Sequence, residues 1–97
     1  MKRDYLFGEP RDTVRGIVRE VAQRAGLSVS DIYGPETARK YSRPRQTAMY
    51  LAHKRGGYSL SHIGRIMGRN HTTVMDAVRK VESAPHLYPI GDAYGTN

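Results

Sequence analysis

Apolar residues recur at intervals of three and four residues along the first part of the chain. This is the period of an amphipathic helix, and it predicts a first helix over residues 12–24. Asp12 is expected to cap its N-terminus, because a carboxylate oxygen can accept from the free amides of the first turn. Gly26 is expected to end the helix in a left-handed turn. The repeating residues are Val14, Ile17, Val18, Val21, Ala22 and Ala25.

The next stretch is short and is followed by a polar one. Residues 30–33 predict a single helical turn closed by Gly34-Pro35, and residues 35–42 predict a basic surface loop. A third helix is predicted to begin at Pro44, because proline suits a first helical turn, where its missing amide hydrogen would have had no partner. The apolar face of this helix consists of Ala48, Met49, Leu51 and Ala52.

The last two predicted helices are separated by a single glycine. Ser59 is expected to cap a fourth helix, Gly68 to end it, and Asn70 to cap a fifth. The major groove of DNA accepts side chains at the start of the second helix of such a pair. The apolar positions are Leu60, Ile63, Ile66 and Met67, then Val74, Met75, Val78 and Val81. The chain is therefore predicted to be all-α, a small bundle of about five helices with a helix-turn-helix.

The predicted helices occupy the middle of the chain. With 97 residues, 38% of them hydrophobic, the chain is long enough for one small domain. Beyond Ser83 the helical period is lost among prolines and glycines. We expect an N-terminal arm (1–11), one helix-turn-helix domain (12–83) and a flexible C-terminal tail (84–97).

The net charge of +7 is concentrated in one segment. Residues 39–80 hold ten basic residues and one acidic residue, whereas the rest of the chain holds six basic and eight acidic residues. Basic charge confined to part of a chain is the electrostatic footprint of a phosphate-binding face. The distribution therefore favours a nucleic acid as the partner.

The sequence lacks the residues that several classes of function require. The chain has no cysteine and its four histidines are scattered, so neither a disulfide nor a metal site is expected. No carboxylate pair, nucleophile–base set or Gly-Lys-Ser/Thr phosphate loop occurs, so we expect no catalytic residue and no cofactor. The apolar runs are too short to cross a membrane. These features are typical of a cytoplasmic protein that is not an enzyme.

Two separated motifs resemble those of a known family. The first is the segment Arg43–Ala52, and the second joins Ser59-Leu60 and Ile63-Gly64-Arg65 to His71-Thr72-Thr73-Val74. Together they resemble the C-terminal DNA-binding domain of the bacterial replication initiator DnaA, over about residues 14–82 of the 97. The resemblance implies a bundle like that of the Trp repressor, which reads the DnaA box on nucleoid DNA.

The resemblance also implies which residues contact DNA. An arginine of the basic loop, Arg43, would enter the minor groove, and the fifth helix would read the adjacent major groove. Arginine gains from the negative potential of a narrow minor groove, and threonine methyls can meet thymine methyls. The predicted base-reading residues are Arg43, Ser61, Asn70, His71, Thr72, Thr73 and Asp76. The predicted phosphate-binding residues are Arg39, Lys40, Arg45, Lys54, Arg65 and Arg69.

Three of these residues depart from the usual pattern of the family. Members usually carry aspartate at the position of Asn70, proline at Ser61 and histidine at Asp76, and the turn Gly68-Arg69 is one residue shorter than the usual form. Aspartate accepts from cytosine, whereas asparagine can pair with adenine through two hydrogen bonds. We therefore expect the preferred base at Asn70 to differ, unless capping uses the whole side chain.

These observations predict a protein that binds double-stranded DNA at DnaA-box-like sites and regulates replication or transcription. Without an ATPase phosphate loop the chain would not open an origin. It would instead compete with the host DnaA initiator for its sites, or bind the initiator. A monomer would suit an asymmetric box and a dimer a palindrome. The alternative is a small basic interaction module that binds a replication or transcription factor through Glu9, Asp12, Glu20 and the tail.

Overall fold

The computed structural model describes residues 13–88, which form five α-helices and one 3-10 helix. The α-helices are α1 (Val14–Ala25), α2 (Val29–Tyr33), α3 (Arg39–Lys54), α4 (Leu60–Met67) and α5 (His71–Ser83). The 3-10 helix spans Pro85–Leu87. No strand occurs between residues 13 and 88, and the predicted all-α fold is confirmed. In the same part of the chain, no helix has the length and apolar character needed to cross a bilayer.

The long helix α3 lies at the centre of the bundle. It packs against both α1 and α5, and α4 packs mainly against α5. Each helix buries one face in a shared core and leaves the other in solvent, as the helical period predicts. The largest fully buried side chains are Ile17, Val18, Val21, Ile32, Thr47, Met49, Ile63, Val74 and Val81.

The ends of α4 and α5 lie where capping chemistry predicts. The Ser59 hydroxyl accepts from the His62 amide at 3.0 Å, and Asn70 caps α5. Gly68 ends α4 in the left-handed conformation (φ 71°), in which a side chain would be strained. The two predicted N-caps and the glycine stop are confirmed.

The beginnings of α1 and α2 are each fixed by a hydroxyl. Thr13 caps α1, because its Oγ1 accepts from the Gly16 amide at 3.0 Å. Asp12, the predicted cap, lies outside the described residues. At α2, Ser28 and Asp31 form a reciprocal capping box, so this helix begins at Val29 rather than at residue 30.

Helix α3 begins at Arg39, and Pro44 lies inside it. The Ala38 carbonyl accepts from the amides of Tyr41 and Ser42 at 2.9 and 2.8 Å, which starts the helix before the proline. Proline then removes only one hydrogen bond of the ladder, because it has no amide hydrogen. The prediction that Pro44 starts this helix is wrong.

The turn between α4 and α5 depends on the absence of a side chain at Gly64. The amides of Gly68 and Arg69 both donate to the Gly64 carbonyl, the latter at 2.8 Å. A Cβ built on Gly64 would overlap the carbonyl oxygen of Arg69. The two helices of the pair therefore approach more closely than any other residue at this position would allow.

The first residues of the predicted tail are part of the fold. The 3-10 helix over Pro85–Leu87 contacts α5, and the Tyr88 hydroxyl donates to Oε1 of Gln46, on α3, at 2.9 Å. Residues 84–88 of the predicted tail are thus described together with the bundle, and the flexibility of residues 84–97 stays a prediction. Residues 89–97 and the predicted N-terminal arm lie outside the described part of the chain.

Candidate nucleic-acid interface

The first turn of α5 presents three polar side chains to solvent. His71, Thr72 and Thr73 are all exposed. The opposite face of α5 is buried and consists of Val74, Ala77, Val78 and Val81. Because this buried face fixes the rotation of the helix, the exposed turn has a defined direction. It offers imidazole nitrogens, hydroxyls and methyl groups, which are the groups that read base edges in a major groove.

Asn70 immediately precedes this turn, and its side chain is partly used by the cap. Its Oδ1 accepts from the Thr72 amide and from the Thr72 hydroxyl, each at 3.0 Å. Both lone-pair directions of Oδ1 are therefore occupied, and the Nδ2 amide group is left for another molecule. The Thr72 hydroxyl has directed its only hydrogen to Asn70, so it can act only as an acceptor towards DNA.

Two more predicted base-reading residues are exposed on the helix pair. Asp76, on α5, forms an ion pair with Lys80 at 3.1 Å. Such pairs between exposed side chains contribute only about 0.3–0.5 kcal/mol, so a ligand can displace Lys80. The hydroxyl of Ser61, on α4, has no hydrogen-bond partner among residues 13–88. A base-reading role for either residue stays a prediction.

Arg43 lies in the second turn of α3 rather than in a loop. The predicted loop over residues 35–42 is shortened by the first turn of α3, which carries Arg39 and Lys40. Arg43 is half-buried, and its guanidinium forms no hydrogen bond or ion pair with the described residues. The helix gives its backbone a more defined position than a loop would. Its contact with the minor groove stays a prediction.

The ten basic residues between 39 and 80 divide into two equal groups. In one group the charged end is bonded to another part of the protein, and its members are Arg45, Lys54, Arg55, Arg69 and Lys80. The other group forms no hydrogen bond or ion pair within residues 13–88, and its members are Arg39, Lys40, Arg43, Arg65 and Arg79. Only this second group, the uncommitted cations, can contact phosphates without losing a bond.

Arg45 belongs to the scaffold and is only 7% exposed. Its Nε donates to the Ile32 carbonyl at 2.7 Å, its Nη1 to that of Glu36 at 2.8 Å and its Nη2 to that of Asp31 at 3.3 Å. Burial and, to a smaller extent, the neighbouring charge of Arg69 lower the pKa of Arg45, against the effect of Glu36. The donors of Arg45 are used inside the protein, so a phosphate contact would require these bonds to break, and the predicted contact stays a prediction.

Arg69 has a similar role in the turn of the helix-turn-helix. Its Nη1 donates to the carbonyls of Tyr33 and Met67 at 2.8 and 3.0 Å, and its Nη2 donates to that of Gly34. Together with Arg45, it binds carbonyls at the C-terminal end of α2, where the helix dipole favours a cation. Arg69 thus links α2 to the turn, and its predicted phosphate contact, which would require these bonds to break, stays a prediction.

Lys54, another predicted phosphate ligand, forms an ion pair with Glu82 at 2.7 Å. The hydrogen bond and the charge of Glu82 raise the pKa of Lys54. The Lys54 and Glu82 side chains are 47% and 44% exposed, so solvent screens their attraction. A phosphate can therefore replace Glu82, and Lys54 stays a candidate phosphate ligand.

Glu20 is committed to an ion pair within the bundle. Its Oε1 accepts from Nη2 of Arg55 at 2.8 Å, and both side chains are less than one-fifth exposed. This pair joins α1 to the end of α3. Glu20 is therefore not available for the acidic contact that the interaction-module alternative requires. The other two acidic residues of that alternative, Glu9 and Asp12, lie outside the described residues.

The buried position of Arg45 is visible in the sequence, although its charge conceals it. Arg45 precedes Ala48, Met49 and Ala52 by three, four and seven residues, which places it on the buried face of α3. Arg69 carries no such signal, because a turn has no period. Among residues 13–88, no three histidine, aspartate or glutamate side chains lie together as metal ligands would.

The arrangement of α4, the turn and α5 matches a known family of DNA-binding domains. The family described as the bacterial dnaA protein helix-turn-helix matches residues 14–81. The chain belongs to this family. The resemblance predicted from the two motifs is confirmed, and the DnaA helix-turn-helix is a DNA-binding domain without catalytic function.

Individual members of the DnaA family match the same region. The chromosomal replication initiator proteins DnaA of Roseobacter denitrificans and Ruegeria sp. are 47% and 48% identical to it over 75 residues. These matches cover 76% of this chain and 16% of each relative. The DnaA of Rickettsia bellii is 45% identical over 82 residues, or 82% of this chain and 18% of the relative. The chain thus spans about a sixth of the length of the relatives it matches.

Proposed function

We propose that residues 13–88 bind double-stranded DNA sequence-specifically at DnaA-box-like sites, with α5 in the major groove and Arg43 in the adjacent minor groove. The observation that carries the proposal is the exposed first turn of α5, formed by His71, Thr72 and Thr73. These side chains project from a helix whose opposite face is fixed in the core. Membership of the DnaA helix-turn-helix family supports the same class of partner.

In this proposal, attraction and discrimination come from different side chains. The exposed cations Arg39, Lys40 and Arg65, with Lys54 after it leaves Glu82, bind phosphates and hold the duplex regardless of sequence. The first turn of α5 reads base edges, and Ser61 and Asp76 complete the base-reading set. Arg43 gains from the negative potential of a narrow, A/T-rich minor groove.

We further propose a regulatory role for this binding. The relatives are named chromosomal replication initiator proteins. A protein that occupied the sites of such an initiator would compete with it, or would repress a promoter that contains such a site. One helix-turn-helix reading one asymmetric box requires no second copy, so we expect binding as a monomer.

The test is a fluorescence anisotropy titration against a DnaA-box duplex and a shuffled duplex of equal composition, at low and near-physiological salt. We expect a preference for the box of about tenfold or more, or roughly 1.4 kcal/mol, that survives the higher salt. Equal binding of both duplexes that is lost with salt would overturn the proposal of sequence-specific binding.

Two kinds of variant separate base reading from phosphate binding. His71→Ala and Thr73→Ala are expected to weaken binding to the box by about 1–3 kcal/mol and to leave binding to the shuffled duplex nearly unchanged. The control, Arg65→Ala, is expected to weaken binding to both duplexes alike. If His71→Ala weakened both equally, the assignment of base reading to the first turn of α5 would be wrong.

A further inference from the structure

The cap of α5 leaves the Asn70 side chain only a hydrogen-bond donor, Nδ2, for DNA. The atom that faces Thr72 must be Oδ1, because the Thr72 amide can only donate. The Thr72 hydroxyl donates to the same oxygen. The exposed Asn70 side chain therefore offers its Nδ2 group, which carries two hydrogens and has no acceptor capacity.

We propose, on the basis of the function proposed above, that Asn70 selects guanine in the major groove through Nδ2. Guanine presents two adjacent acceptors, O6 and N7, which match a group with two hydrogens. Cytosine presents an amino donor, which cannot pair with another donor. Thymine presents one acceptor beside a methyl group, and adenine presents one acceptor beside an amino donor.

The pairing of asparagine with adenine, which the sequence alone suggests, conflicts with this cap. That pairing uses Nδ2 as the donor and Oδ1 as the acceptor, so Oδ1 would have to leave Thr72. The Thr72 amide would then lose the bond that caps the start of α5, and N-cap bonds stabilise a helix appreciably. The hydrogen-bond pattern of the cap therefore changes the expected base from adenine to guanine.

The experiment compares the chain with Asn70→Asp and Asn70→Ser. All three residues are good N-caps, so equal thermal unfolding midpoints verify that the fold is intact. The aspartate side chain would carry only acceptors, and a serine would cap the helix without reaching a base. Anisotropy titrations against a DnaA-box duplex and all its single base-pair substitutions give one preference profile for each protein.

We expect the profiles to differ at one position. There, the unmodified chain prefers guanine by about fivefold or more, the factor that one good hydrogen bond contributes. Asn70→Asp prefers cytosine on the same strand, and Asn70→Ser shows no preference at that position. The profiles at the remaining positions are expected to coincide, because the first turn of α5 is unchanged.

Two results would overturn this inference and leave the proposed function intact. One is three identical profiles that all retain preference for the box, which would limit Asn70 to capping. The other is a preference of the unmodified chain for adenine or cytosine at that position. Failure of the unmodified chain to prefer the box over a shuffled duplex would overturn the proposed function, and this inference with it.

Discussion

At the scale of single residues, the close contact at Gly64 predicts whether its replacement by alanine raises or lowers the free energy of unfolding. In an exposed helix, replacing glycine by alanine raises the free energy of unfolding by about 1 kcal/mol. At Gly64 the added methyl group would meet the Arg69 carbonyl, and that segment is held by the bond from the Arg69 amide to the Gly64 carbonyl. We expect Gly64→Ala to lower the free energy of unfolding by about 1–3 kcal/mol in a urea titration.

The control for this prediction is Ser61→Ala, on the same helix. Ser61 is exposed and its hydroxyl has no hydrogen-bond partner among the described residues, so its replacement should change stability by less than about 0.5 kcal/mol. If Gly64→Ala were as stable as the unmodified chain, the close approach of α4 to α5 would not depend on this glycine.

At the scale of elements, α2 is the helix that most needs its neighbours. With only five residues, it is far too short to be stable in isolation. Its N-terminus is closed by the Ser28 and Asp31 capping box, and its C-terminal carbonyls accept from Arg45 and Arg69. Since Arg69 lies between α4 and α5, the order of α2 is coupled to the geometry of the helix-turn-helix.

A matched pair of substitutions tests this coupling. Arg69→Met and Arg65→Met each remove one positive charge, but only Arg69 donates to main-chain carbonyls. We expect Arg69→Met to lower the free energy of unfolding by about 1–3 kcal/mol, because it leaves carbonyls without a charged donor. Arg65→Met should leave stability unchanged and weaken DNA binding. Unfolding curves and anisotropy titrations of both proteins measure the two effects.

The opposite pattern would contradict the scaffold role of Arg69. If both variants were as stable as the unmodified chain and lost equal DNA affinity, Arg69 would bind phosphate as its charge and position in the sequence suggest. If only Arg65→Met lowered the free energy of unfolding, Arg65 and not Arg69 would be the arginine that stabilises the fold.

Both ends of α4 and the start of α5 could be predicted from the sequence because they depend on local chemistry. Ser59 and Asn70 cap the helices that follow them, and Gly68 takes a left-handed turn, whatever the rest of the chain does. The start of α3 could not be predicted in this way, because Pro44 is compatible with either a first turn or a later one. Two of the three carbonyls that bind Arg69 belong to Tyr33 and Gly34, more than 30 positions earlier, and no local pattern contains that information.

The candidate interface was predictable to a similar extent. The exposed turn of α5 follows from the helical period, because Val74 and Val78 fix which face is buried. The roles of basic residues do not follow from their number, since an arginine is equally basic in solvent and against a carbonyl. Arg45 is an example. Its place in the helical period predicts a buried position, its charge predicts an exposed one, and the packing of the bundle buries it.

At the scale of the whole molecule, the division of basic residues limits how strongly binding depends on salt. Each phosphate contact contributes about −0.9 to the slope of log K against log salt concentration. On the proposed binding mode, Arg39, Lys40, Arg65 and Lys54 bind phosphates, so we expect a slope of about −3.6, whereas all ten basic residues would give about −9. Titrations of a box duplex at several salt concentrations measure the slope.

The cation Lys54 allows an internal check of this slope. Because its bond to Glu82 is weak, Lys54 is expected to contribute one of these contacts, so Lys54→Gln should make the slope shallower by about 0.9. A slope near −9 for the unmodified chain would show that bonds such as those of Arg69 are exchanged for phosphates on binding.

The packing of α3 against α5 fixes the distance between the two proposed groove contacts. These two helices share the most extensive helix–helix contact between residues 13 and 88, and they carry Arg43 and His71 respectively. The offset between the two side chains is therefore set by the core and not by a hinge. One extra base pair would move one groove contact by about 3.4 Å and roughly 35° relative to the other. On the proposed binding mode, the protein thus measures the spacing within its site as well as the identity of the bases.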